Sequence, residues 1–193
     1  MPTKYTMISI RRQFVGQTVV YNHVVRPTGI GMIQWKRLGV CPATGHIERI
    51  WHAGINSDGS RLFISSVDDE YLVWDIHTQN TIWNDHEQPD PGSLQCLDDW
   101  IIDGHISLES PSLSDRFRIF GLNHQHPLLE SNGQTIETDE QNHNLIIRAS
   151  ANTQSLPFEA FSGDWAYASF SEIGNIIAVV EPYDVTLFGH ADS

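Results

Sequence analysis

The sequence predicts an all-β protein built from antiparallel meander sheets, and three observations carry that prediction. Short runs rich in β-branched and aromatic residues recur along the chain, clearest in Arg61 to Val67 and Tyr71 to Ile76. Clusters of turn residues stand between such runs: Asn56-Ser57-Asp58-Gly59, the acidic Asp68-Asp69-Glu70, and Thr78-Gln79-Asn80. Nine prolines and fourteen glycines are spread through the 193 residues, as frequent turns require, and no long helical pattern emerges.

A chain of this length suits one domain, here residues 1–193, and folding can bury roughly 70% of the surface exposed by the unfolded chain. Eleven Lys and Arg against 24 Asp and Glu give a formal charge of −13. That surface repels phosphate backbones and anionic lipids, so nucleic acid and membrane are excluded as expected ligands, and a basic protein or peptide is the partner it favours. Cys41 and Cys96 lie far apart, without zinc-like or CxxC spacing, so two reduced thiols are expected. The opening MPTKYTMISIRRQF lacks the apolar core of a signal peptide. No run approaches the roughly 20 apolar residues that span a bilayer, so the expected location is cytoplasmic.

In chain order, Met7 to Ile10 is strand-like and is followed by the arginine pair Arg11-Arg12, as in an edge or closing strand. Thr18 to Val25 is a second strand, ended by Arg26-Pro27-Thr28-Gly29. Gly31 to Leu38 is a third, with Trp35 near its end, and Pro42 to Gly45 turns the chain into His46 to Trp51. The meander through Arg61 to Val67, Tyr71 to Ile76 and Thr81 to Trp83 comes next. The proline-rich polar stretch Asn84 to Ser93 is the strongest loop. Strands resume at Leu94 to Leu97, Trp100 to Leu108 and Arg116 to Leu122. Thr135 to Thr138, Leu145 to Ala149 and Leu156 to Phe161 are short candidates set in polar linkers. Asp164 to Ser171, Ile176 to Val180 and Val185 to Gly189 close the chain.

The stretch Ile55 to Trp83 resembles a blade of the WD40 β-propeller family: Ser57-Asp58-Gly59 precedes an apolar strand, Asp69 sits in the next turn, and Trp74-Asp75 closes the following strand. Phe120-Gly121 and Phe188-Gly189 take the corresponding places later on. Trp35, Trp74, Phe120 and Phe188 then mark equivalent strand ends separated by 39, 46 and 68 residues. Propeller blades commonly repeat at about 40 to 45 residues, so the resemblance implies four or five blades, with a degraded unit inside Ser131 to Ser162. The ring closes on itself or is completed by a second copy as a homodimer. In the family pattern Ser65 and Ser66 support the sheet tryptophan, and Asp69 holds its turn.

Candidate chemistry is sparse. His124-Gln125-His126 is the best metal-like cluster, but Pro127 follows at once, and neither metal nor cofactor is expected. A propeller glycosidase needs two carboxylates at a defined separation; Asp98, Asp99, Asp103, Glu109, Asp139, Glu140 and Asp164 are available without a recognisable motif. There is no G-x-S-x-G, no P-loop and no dinucleotide fingerprint. Trp51, Trp83, Trp100 and Trp165 fall near proposed strand ends, where propellers display their binding rims. The expected function is therefore non-catalytic protein binding by an acidic rim, with Asp68, Asp69, Glu70, Trp83 and Arg12 as the candidate partner-binding residues. The alternatives are a propeller glycosidase or carbohydrate-binding module, and an acidic inhibitor or immunity-type protein that masks a basic enzyme.

Overall fold

Every regular element among the described residues is a β-strand. The computed structural model describes residues 13–14, 17–18, 34–42, 49–67, 70–84, 101–110, 113–122, 127–150, 152–159 and 165–191. Residues 1–33 form one compact unit. Within it β1 (Gln13–Phe14) pairs antiparallel with β2 (Gln17–Thr18), while the expected strands at Met7 to Ile10 and beyond Thr18 lie outside the described residues. Residues 34–193 form the second compact unit, opened by β3 (Trp35–Pro42).

The meander of the second unit is built around hairpin turns whose side chains hold the backbone. β4 (Ile50–Asn56) meets β5 (Arg61–Ser66) through Ser57 to Ser60. There the Asp58 carboxylate accepts from the Ser60 amide at 2.8 Å, the Asn56 side-chain oxygen accepts from the Arg61 amide at 2.9 Å, and Gly59 takes φ 75°. A glycine adopts that left-handed conformation without the penalty a Cβ incurs. β6 (Tyr71–Asp75) and β7 (Asn80–Asn84) complete the meander through a turn in which Asp75 Oδ1 accepts from the Thr78 amide at 2.7 Å and Gln79 takes φ 55°.

Two further strands lengthen this sheet on its other edge. β8 (His105–Ser110) and β9 (Leu113–Gly121) form a ribbon, and β9 pairs with β4 so that the order is β7-β6-β5-β4-β9-β8. The sequence predicts one strand from Trp100 to Leu108, but Asp103 and Gly104 take φ 51° and 74°, and Ile102 bridges His105 across them. Asp-Gly is a favoured pair for a two-residue hairpin turn, so the run is folded back on itself there. β4 also lies later than the predicted His46 to Trp51. Ala53 and Gly54 carry little strand propensity, yet a Cβ on Gly54 would stand 2.6 Å from Ile119 Cδ1, so glycine lets β9 approach.

The predicted degraded unit is a sheet of its own, β10 (Glu130–Ser131), β11 (Gln134–Asp139), β12 (Asn144–Ala149) and β13 (Asn152–Pro157), joined in sequence order. Its β11–β12 turn repeats the β6–β7 device: Asp139 Oδ1 accepts from the Asn142 amide at 3.2 Å, and His143 takes φ 51°. The predicted last strand, Leu156 to Phe161, begins instead at Asn152, because every residue of β13 pairs with β12 despite the polar run Asn-Thr-Gln-Ser.

The C-terminal sheet contains β14 (Tyr167–Phe170), β15 (Ile176–Val180) and β16 (Asp184–His190), and β3 pairs antiparallel with β16 to complete it. Trp35 therefore opens its strand opposite His190, whereas the sequence places it near a strand end. The sheet packs face to face on the β4–β7 meander. Ile55, Leu62, Ile64 and Trp74 from one side meet Cys41, Ile176, Ala178, Val180 and Leu187 from the other in one buried cluster. The far face of the meander carries a second cluster, Phe63, Tyr71, Val73, Ile106, Phe117 and Ile119. Against β10–β13 the C-terminal sheet is held by polar docking: Trp35 Nε1 donates to Gln134 Oε1 at 3.1 Å. Gln154 also brackets the Trp35 backbone, accepting from its amide at 3.1 Å and donating to its carbonyl at 2.7 Å.

Candidate functional site

At the end of the meander sheet where the β5–β6 turn lies, three turns converge on the short segment Arg49-Ile50-Trp51. The Val67 amide donates to the Arg49 carbonyl at 2.9 Å, the Ile50 amide to the Pro182 carbonyl at 2.7 Å, and the Leu122 amide to the Trp51 carbonyl at 3.0 Å. These bonds satisfy backbone groups that the strand ends would otherwise leave open. The segments they join, which form one rim, carry three exposed apolar side chains: Val67 at 36%, Leu122 at 40% and Tyr183 at 44% exposure. Singly exposed apolar residues need no explanation; these three lie on segments joined by backbone bonds to the same short stretch.

Trp51 lies half-buried inside that rim with its ring stacked on His52, and its indole Nε1 is buried without a hydrogen-bond partner among the described residues. His52 is fixed from beneath, its Nδ1 lying 3.1 Å from the Ser65 hydroxyl. Gly121 explains the Phe-Gly pair read in the sequence. It takes φ 141°, and a Cβ there would stand 2.5 Å from the Trp51 carbonyl oxygen, so glycine allows β9 to end against the rim. Arg49 is exposed and contributes the one cation of the segment.

Among the predicted site residues, Glu70 borders the rim in the β5–β6 turn. Its amide donates to Ser66 Oγ at 3.2 Å, and its carbonyl accepts from the Ser66 amide at 2.9 Å. Asp68, Asp69 and Arg12 lie outside the described residues. Trp83 is placed by its backbone on β7 opposite Val73, its side chain lying outside the described residues. Val67, Leu122 and Tyr183 were not among the sequence candidates. Their common signal is position: each follows or ends an apolar run at a polar turn, which a strand-by-strand reading does not assemble.

The remaining chemistry stays dispersed. Among the described residues no group of three or more His, Cys, Asp and Glu could hold a metal ion. No helix there is long and apolar enough to cross a membrane. Asp103 sits in the β8 turn, Glu109 on the ribbon, and Asp139 and Glu140 at the β11–β12 turn. The predicted carboxylates that are described therefore occupy separate turns and strands. Glu181 and Asp184 are buried carboxylates that the sequence did not single out; burial, and then the charge of Glu159, push Asp184 above the usual carboxylate range, opposed by Arg37. Arg37 itself grips Glu159 at 2.7 Å. Burial, with Asp184 behind it, pushes the Cys41 thiol far up, so this cysteine is inert packing.

No protein-family model matches the chain, and no curated protein matches it in sequence.

Proposed function

We propose that this protein is a non-catalytic binding module of propeller-like architecture that presents the Arg49–Trp51 rim to a protein partner. One observation carries the reading: Val67, Leu122 and Tyr183 are exposed on three segments whose backbones are hydrogen-bonded to the stretch that bears the half-buried Trp51. A rigid aromatic and aliphatic patch with a polar border is the composition that concentrates binding energy at interfaces. Arg49 and Glu70, of opposite charge and both beside the end of β5, would set the partner's register. The net charge of −13 favours a partner with a basic surface around an apolar centre.

The propeller reading draws support from the sheets. Two sheets are four-stranded and antiparallel, one of them completed by β3 from the start of the unit as a ring-closing strand would be, while the β4–β7 meander continues into β9 and β8. The ring is of four or five blades, or is completed by a second copy. Sedimentation equilibrium separates these, since a shared ring requires a dimer.

The test of function is affinity capture from native extract with the full chain and with a Leu122→Ser, Tyr183→Ala double variant, at low and raised salt. A stoichiometric partner held by the parent and lost by the folded variant supports the rim. Its loss in raised salt adds the acidic border. A partner retained equally by the variant sinks the proposal.

A further inference from the structure

The β8–β9 ribbon carries a second feature, a pair of arginines on the face turned away from the buried cluster. Strand alternation puts Phe117, Ile119 and Ile106 into a buried cluster and Ser114, Arg116, Arg118, His105, Ser107 and Glu109 on the other face. Register sets Arg118 opposite His105 and Arg116 opposite Ser107. Asp115 lies on the buried-cluster side and is occupied there, accepting from Arg61 NH1 at 3.1 Å and from Asn56 at 3.0 Å. It therefore does not neutralise the arginines beside it in sequence.

The basic face already holds one oxygen anion. Glu172, in the turn before β15, places Oε1 3.0 Å from His105 Nε2 and 3.5 Å from Arg118 NH2. The other imidazole nitrogen, Nδ1, lies 2.9 Å from the Asp103 carbonyl, so the ring is held between two oxygen atoms. The His105 hydrogen bond first, then the charges of Arg118, His105 and Arg116, hold the Glu172 carboxyl below its usual range.

The Glu172 contacts leave donors on this face unused. The Arg118 contact is long, its Nε is buried without a partner among the described residues, and Arg116 is exposed and makes no ion pair among them. In a chain with 11 Lys and Arg against 24 Asp and Glu, two guanidiniums two residues apart lie on one strand face, with Glu172 and Glu109 as the carboxylates beside them. We propose that Arg116, Arg118 and Ser107 form a binding site for a phosphate-type oxyanion. A tetrahedral anion can accept from both guanidiniums and from the Ser107 hydroxyl at once, which the flat Glu172 carboxylate cannot do from its own turn. Glu109, paired with Ser114 at the outer end, bounds the site on that side.

The test is a proton–nitrogen NMR titration of the full chain with inorganic phosphate, and separately with O-phosphoserine, against chloride at matched low ionic strength. Saturable shifts confined to β8, β9 and the Glu172 turn are expected. Arg116→Gln, whose side chain is exposed and leaves the core untouched, should weaken binding by about tenfold. Ser107→Ala should weaken it less, and Glu109→Gln should strengthen it. Tighter binding of phosphoserine assigns the site to an attached phosphoryl group, and equal binding assigns it to the free ion. Shifts that chloride reproduces, or that Arg116→Gln leaves unchanged, overturn the proposal.

Discussion

In the β4–β7 meander the fourth strand follows the third through the tight turn Asp75–Asn80, whereas in the C-terminal sheet the place beside β16 is filled by β3, from the start of the unit. The strands themselves correspond closely. Gly59 and Gly174 open equivalent strands at φ 75° and 70°, Leu62 faces Trp74 as Ile177 faces Phe188, and Ser66 and Glu181 each donate a backbone amide across the next turn. What differs is the origin of the closing strand. A local closure costs little chain entropy and forms early. A closure between distant segments must be stabilised by the contacts made on arrival.

The largest effects should come from the two aromatic residues that occupy the same place in both sheets. Trp74→Ala and Phe188→Ala should each cost about 3–5 kcal/mol, because both side chains are buried and a cavity remains behind. Urea unfolding of each variant, followed by tryptophan fluorescence and by circular dichroism, also sharpens the comparison. If the sheets melt as one unit through their shared core, both variants shift one transition. Two separated transitions would mean that the non-local sheet stands or falls by itself.

Next comes the docking that only the non-local closure needs. Gln154 satisfies both the amide and the carbonyl of Trp35 at the exposed edge of β3. Gln154→Leu should cost about 1–3 kcal/mol, since two backbone groups lose their partner. Hydrogen exchange should quicken on β3 and β16 while β6 and β7 keep their protection. Equal loosening of both sheets would break the distinction drawn between them.

Legibility followed the same division. The β5 and β6 strands, the β6–β7 turn and β15 are written locally, in β-branched runs between turn residues, and the structure has them within a residue or two of their predicted limits. β3, β4 and β13 are displaced from prediction because their partners, and not their own residues, set their ends: Trp35 begins where His190 ends, Gly54 sits where β9 approaches, and the polar Asn152–Ser155 pairs along all of β12. The rim was harder still. Glu70 could be read from its acidic turn, but Leu122 and Tyr183 join it only through backbone bonds to Arg49-Ile50-Trp51, which no local pattern encodes. Neither Arg116 and Arg118, which alternate with Phe117 and Ile119 within one predicted strand, nor Glu172 was among the sequence candidates.

A moderate effect separates the turn glycines. Gly59→Ala and Gly174→Ala both force a Cβ into left-handed backbone, a penalty of roughly 1–2 kcal/mol. Gly59 would meet the Asn175 side chain and Gly174 the Ser131 and Asn132 side chains, so each variant also strains a contact with a neighbouring sheet. Thermal melts should show Gly174→Ala at least as destabilised as Gly59→Ala. A variant as stable as the parent at either site would remove that turn from the conformational argument.

The smallest effects carry opposite signs and depend on pH. The Thr78 amide, and after it the Thr78 hydroxyl, hold the Asp75 carboxyl below its ordinary value of 3.8, so its contribution is present above that value and lost as pH falls through the folded one. Asp75→Asn should therefore destabilise at neutral pH, by less than about 1 kcal/mol because solvent screens the turn, and the difference should fade in acid. Asp184 is the reverse case: burial raises it above 3.8, so its contribution is favourable only below that value and is lost as pH rises through the folded one. At neutral pH the buried charge works against the fold, next to the very strand that closes the sheet from a distance. Asp184→Asn should thus stabilise at neutral pH and converge on the parent in acid, as read from urea midpoints between about pH 7 and about pH 3. If Asp184→Asn instead destabilises at neutral pH, the carboxylate is holding β16 and β3 together, and its charge belongs with the docking contacts of Gln154.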